Sequence, residues 1–78
     1  MEIYKKIKII REYYGITQIH LSKMTGISNK KLSFIENGVV QLKAEDFIVV
    51  ARALDVPLDF FDNNLVNEEN IIRYLENK

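Results

Sequence analysis

Three glycines, at positions 15, 26 and 38, divide the first half of this chain into three stretches, and each stretch carries the spacing of a helix. Ile3, Ile7, Ile10 and Tyr14 recur at intervals of three and four, which predicts a first helix over residues 3–14. Gly15 stands just past its end, where a left-handed residue closes many helices. Thr17 then offers an N-cap hydroxyl to a short second helix whose inner face is Leu21 with Met24 or Thr25. Gly26 breaks that helix, and Ile27 anchors the turn. Ser28 is the next cap; Leu32 and Ile35 give a third helix one narrow apolar stripe, and Gly38 stops it. Residues 39–43 read as a loop. Phe47, Val50, Ala51 and Leu54 predict a fourth helix over about 44–54. Asp55-Val56-Pro57 ends it, and Pro57 opens a short fifth helix through Phe61. After the polar run Asp62-Asn63-Asn64, a last amphipathic segment, 68–76, places Ile71, Ile72 and Leu75 together. No period-2 run is long enough for a strand. The chain therefore reads as all-α, a compact five-helix domain with a short C-terminal amphipathic helix.

Seventy-eight residues make one domain, with residues 1–62 as its body and 63–78 as a C-terminal extension. A domain of this size buries only about 60% of the surface its unfolded chain exposes, so its stability is narrow. It has no cysteine to staple it, which fits a reducing cytosol and makes a cytoplasmic location the expectation. The longest apolar run, Phe47 to Ala51, is too short to span a membrane or to act as a secretory core. The zero net charge conceals an asymmetry. From Met1 to Glu36 seven cations face three anions, a surplus of +4; from Asn37 to Lys78 four cations face eight anions, a deficit of −4. A basic half joined to an acidic half predicts two surfaces with different partners.

The informative stretch is Thr17-Gln18, Leu21-Ser22, Gly26-Ile27-Ser28, Leu32 and Ile35-Glu36-Asn37-Gly38. Two short helices separated by a glycine turn must cross steeply, and Ser22 is small enough for the backbones to approach there. The second of the two buries only Leu32 and Ile35, which leaves Asn29, Lys30, Ser33 and Phe34 outside. A helix held by one edge, with amide, ammonium and hydroxyl groups outward, is shaped to enter a major groove.

In these residues the chain resembles the Cro and lambda-repressor-like helix-turn-helix family, also called the XRE family. The matching series is Ile3, Ile7, Ile10-Arg11, Gly15-Ile16-Thr17-Gln18, Leu21-Ser22, Gly26-Ile27-Ser28, Ile35-Glu36-Asn37-Gly38 and Ala53-Leu54-Asp55-Val56. It covers residues 3–61, or 59 of 78. No single piece is specific; the series in register is. The resemblance implies double-stranded DNA as partner and a transcriptional regulator that reads palindromic half-sites as a homodimer. It puts Asn29, Lys30 and Phe34 on base edges. It puts Gln18 on a phosphate, with Thr17, Lys31, Ser33 and Asn37 also along the backbone. It makes Arg11 and Glu36 a buried ion pair joining the first and third helices. The chemistry agrees, because asparagine pairs with adenine, lysine with guanine and an apolar group with the thymine methyl. The chain departs from the pattern in three ways. Val39-Val40-Gln41-Leu42 follows Gly38 where the family usually has basic residues, Phe34 replaces a polar residue, and Ile9, Ile19, Val49 and Phe60 stand where polar residues are usual.

The apolar set Phe60, Phe61, Leu65, Val66, Ile71, Ile72 and Leu75 exceeds what so small a chain buries alone, and is the expected dimer interface. Phe34 has two readings, a contact to a thymine methyl or a return into the core. His20 is a lone histidine with no second ligand at metal spacing, and Asp59, Asp62, Glu68 and Glu69 lack a glycine-containing calcium loop. No metal or cofactor is expected. No catalytic triad or phosphate loop supports an enzyme. The alternative function is a protein-interaction module, antitoxin-like or a regulatory partner, that retains the fold; the apolar Val39-Val40 and the neutral total charge motivate it.

Overall fold

The computed structural model describes residues 1–62 and 67–77. Five α-helices follow one another: α1 (Ile3–Tyr13), α2 (Gln18–Thr25), α3 (Asn29–Glu36), α4 (Ala44–Ala53) and α5 (Glu68–Glu76), with a 3-10 helix, Leu58–Asp62, between α4 and α5. No strand occurs among the described residues, nor any helix long and apolar enough to cross a membrane. The chain is all-α, as the glycine punctuation and the three-four spacing predict.

The helix ends follow from local chemistry. Thr17, Ser28 and Asn67 each stand in extended backbone, and each accepts a hydrogen bond from an amide three residues on: His20, Lys31 and Asn70 respectively. These are the N-cap bonds that satisfy otherwise orphaned donors. Gly26, at φ 78°, closes α2 in the left-handed region. Gly38, at φ 71°, does more: a Cβ there would lie 2.7 Å from the Tyr4 ring, so the bare α-carbon is also a seat for that ring. Asp55 takes the same left-handed backbone after α4, at φ 56°, a conformation that aspartate tolerates better than most residues.

The core runs through every helix. Ile7 and Ile10 of α1, Leu21 of α2, Leu32 of α3, Val50 of α4 and Ile71 of α5 have no exposed surface. Helix α1 lies against both α3 and α5, while α2 lies against α3 and α4. Three residues depart from the predicted faces, the first being Ile3, which is exposed in the opening turn of α1. Tyr14 lies outside, edge-on to Tyr13 with ring centroids 5.3 Å apart, because α1 ends one residue before it. Of the two candidates on the inner face of α2, Thr25 turns in and Met24 turns out.

The C-terminal segment overturns an expectation. Phe60, Phe61, Ile71 and Leu75 are buried inside the chain's own core, so they form no dimer surface. Ile72 is half-buried, and Leu65 and Val66 lie outside the described residues. The physical reason is that α5 lies across α1 and closes the core that the preceding elements leave open. Tyr74 packs on Phe60 with its ring tilted 46° and centroids 4.4 Å apart, and Phe61 meets Phe47 edge-on at 4.8 Å. Helix α5 is thus a wall of the same core that the preceding helices form.

Lys6 completes that wall. Its side chain is buried, its Nζ donates to the Phe61 carbonyl at 3.1 Å, and the ammonium lies 6.0 Å from the centre of the Phe60 ring. Lys6 falls three residues after Ile3 and four before Ile10, on the same helical face.

Because α5 is structural, Ile71→Ala is expected to cost about 2–5 kcal/mol, the usual loss for truncating a fully buried aliphatic residue. In a chain of this size that lowers the melting temperature by roughly 10 °C or more. A chain ending at Asp62 is expected to lose cooperative unfolding altogether. Calorimetry or circular dichroism melts check both; an unaltered melt for Ile71→Ala would show that α5 is dispensable.

Candidate nucleic-acid interface

The turn between α2 and α3 is stitched by two hydroxyl side chains ahead of Gly26 that bond the backbone on both sides of it. The Ser22 hydroxyl donates to the Ile27 carbonyl, the Thr25 hydroxyl donates to the Leu21 carbonyl at 2.8 Å, and the Ile27 amide donates to Thr25 Oγ1 at 3.2 Å. Ile27 itself is buried, so the turn has an apolar anchor as well as a polar one. Sequence reading takes Ser22 for its small size alone and misses the bonding of both hydroxyls. Their signal is the pairing of two short hydroxyl residues ahead of a glycine break.

A buried polar cluster fixes how these helices sit on α1. Arg11 Nε donates to Glu36 Oε2 at 2.8 Å and Arg11 Nη2 to Glu36 Oε1 at 3.0 Å, a two-point ion pair. Their side chains are only 10% and 1% exposed. The remaining arm of the guanidinium, Nη1, donates to the Ile16 carbonyl at 2.7 Å. Gln18, the first residue of α2, donates from Nε2 to Glu36 Oε1 at 3.0 Å. One carboxylate at the end of α3 therefore receives donors from α1 and α2, and the same arginine holds the loop between them.

With its inner face fixed, α3 presents the rest to solvent. Asn29 and Lys30 are exposed, and Phe34 is 38% exposed rather than returned to the core. Lys30 Nζ lies 5.9 Å from the centre of the Phe34 ring, an exposed cation–π contact worth about 0.5–1 kcal/mol. Asn29, Lys30 and Phe34 thus occupy one outward face. The residues expected along a phosphate backbone scatter around it. Thr17 is exposed at the cap of α2, and Gln18 is half-buried with one amide hydrogen engaged by Glu36. Ser33 is half-buried, and Asn37 is exposed with its side-chain amide bonded back to the Ser33 carbonyl at 2.9 Å. Lys31 is committed within the chain, its Nζ 2.9 Å from Asp46 Oδ2 on α4.

The basic half is accordingly less basic than its composition. Of its seven cations, Lys6 and Arg11 are buried and Lys31 is ion-paired to α4. Lys5, Lys8, Lys23 and Lys30 are exposed. The loop after Gly38 is apolar in fact as well as in sequence: Val39 is 66% exposed, and it borders an open groove of about 590 Å³ shared with Tyr4, Val40, Leu42 and Phe47. Among the four positions where polar residues are usual, Phe60 is buried and Ile9 half-buried, whereas Ile19 and Val49 are exposed.

This geometry agrees with comparison to known proteins. A protein-family model described as helix-turn-helix matches residues 7–61, more than two thirds of the chain. No curated protein and no solved structure matches it significantly.

Removing one member of a buried ion pair leaves the other charged and uncompensated, which costs about 3–5 kcal/mol. Glu36→Ala is therefore expected to unfold the domain or to lower its urea midpoint sharply, since a whole small domain is worth only about 5–15 kcal/mol. Arg73→Ala, which breaks the exposed pair with Glu69 one turn away on α5, is expected to cost no more than about 1 kcal/mol. Equal urea midpoints for the two variants would contradict the burial of the Arg11–Glu36 pair.

Proposed function

The chain belongs to the helix-turn-helix family of XRE type, and from that premise we propose that it is a sequence-specific transcriptional regulator which lays α3 in the major groove of double-stranded DNA. The observation that carries the reading is the outward face of α3. Asn29, Lys30 and Phe34 stand there exposed, on a helix whose opposite side is fixed by Leu32, Ile35 and the buried Glu36. In this reading Asn29 and Lys30 meet base edges through hydrogen bonds and Phe34 meets a thymine methyl. Thr17, Gln18, Ser33 and Asn37 flank that face and set the register on the phosphates, which carry no sequence information. Gln18 keeps one amide hydrogen for this purpose after bonding Glu36.

One such module covers few base pairs, so two copies on a palindromic site, with half-sites about 34–36 Å apart, supply the required length. The surface that joins the copies is not the Phe60, Phe61, Ile71 and Leu75 set, which the core consumes. As a regulator of DNA the protein works in the compartment that holds the genome, and it performs no chemistry of its own.

A second reading, a protein-interaction module built on the same fold, is favoured by one observation. Val39 and Val40 are exposed beside an apolar groove where a DNA-binding loop would carry cations. The two readings respond differently to salt, because phosphate contacts weaken steeply with ionic strength and apolar contacts do not.

The test is binding of purified protein to a duplex selected from random sequence and to its scrambled counterpart, at two salt concentrations. Asn29→Ala is expected to cost about 1–3 kcal/mol on the selected duplex and to relax preference at one base pair. Asn37→Ala is expected to weaken both duplexes equally. A wild-type chain with no preference for any duplex would sink the proposal and turn attention to the Val39-Val40 surface.

A further inference from the structure

The ion pair between Lys31 and Asp46 joins the first turn of α3 to the first turn of α4. The lysine side chain is 46% exposed and the aspartate 17%, so the pair lies at the edge of the proposed interface with its anion on the inner side. Asp46 Oδ2 is out of contact with water and accepts no hydrogen bond of regular geometry. The ammonium 2.9 Å away is what compensates it. A phosphate that recruited Lys31 would strip that buried oxygen of its counter-charge, and the Asp46 carboxylate would oppose the approach of the phosphate.

We propose that Asp46 sets the DNA affinity of this chain by withholding Lys31 from the phosphate backbone. The inference rests on the DNA-binding reading above and deepens it. Lys31 meets the duplex already neutralised, so it releases no counterion on binding. The outward cation beside it, Lys30, has only the Phe34 ring beneath it in the described structure and stays available. Asp46 acts through Lys31 and touches no base, so its effect falls on all sequences alike.

The experiment measures the salt dependence of binding for wild type, Asp46→Asn, Lys31→Gln and the double variant, each on a selected and a scrambled duplex. Asp46→Asn keeps the shape of the side chain and is expected to steepen the slope of log K against log salt by about 0.9, the value of one added phosphate contact. The accompanying gain in affinity is then roughly threefold larger at 50 mM than at 200 mM salt, on both duplexes. Lys31→Gln alone is expected to leave the wild-type slope unchanged, and the double variant to return to it. An unchanged slope for Asp46→Asn, or a steepening that persists in the double variant, overturns the proposal. If Asp46→Asn does not fold, Lys31→Gln decides alone: an unaltered slope supports the proposal and a flattening by about 0.9 overturns it. A wild type that binds no duplex overturns the DNA-binding reading and this inference with it; variants that fail on a wild type that binds overturn this inference only.

Discussion

The arrangement of this domain depends on one carboxylate. Glu36 closes α3, and its two oxygens receive Arg11 from α1 and Gln18 from α2. Apolar packing alone would hold these helices loosely, because Leu21 is the sole fully buried residue of α2 and α3 contributes only Leu32 and Ile35 beside the acid. Hydrophobic contact has no preferred direction, whereas a two-point guanidinium–carboxylate pair fixes both separation and angle. The Arg11 bond to the Ile16 carbonyl extends this constraint into the loop that leads to α2. The crossing of α2 and α3 is therefore fixed from behind by the buried Arg11–Glu36 pair, with Gln18 tying the start of α2 to it at the rim.

The second constraint is size. A chain this short has little interior to spend, and α5 supplies much of what the first four helices lack. Its Ile71 and Leu75 enter the core, and its Tyr74 covers Phe60. The lysine beneath, Lys6, bonds the Phe61 carbonyl next to the aromatic pair. This explains an aromatic residue at position 60, where polar residues are usual in chains resembling this one: here another helix lies over it.

Helix positions, caps and the inner faces of α3 and α4 were legible in the sequence because they arise from neighbours three or four residues apart. Thr17 and Ser28 announce themselves as caps, and Leu32 and Ile35 as a stripe. The ion pair of Arg11 and Glu36, 25 residues apart, was legible only through resemblance to a family pattern. What lay beyond reach depends on contacts between distant segments with no shared pattern. The apolar residues of α5 are as compatible with a second copy as with the chain's own core, and only the course of the backbone decides between them. Nothing in the order of residues announces that Lys31 and Asp46 will meet. Lys6 was the intermediate case: its place between Ile3 and Ile10 put it on the inner face, but a lysine is ordinarily read as solvated.

The outward residues of α3 stand apart from everything that holds the chain together. Asn29, Lys30 and Phe34 are exposed, and the cap that starts their helix belongs to Ser28 while the pair that ends it belongs to Glu36. Frame and face are thus written in different letters of the same eight-residue helix. The three outward letters can therefore be exchanged without touching the cap or the ion pair, so the surface chemistry of this helix and its place in the fold are separable.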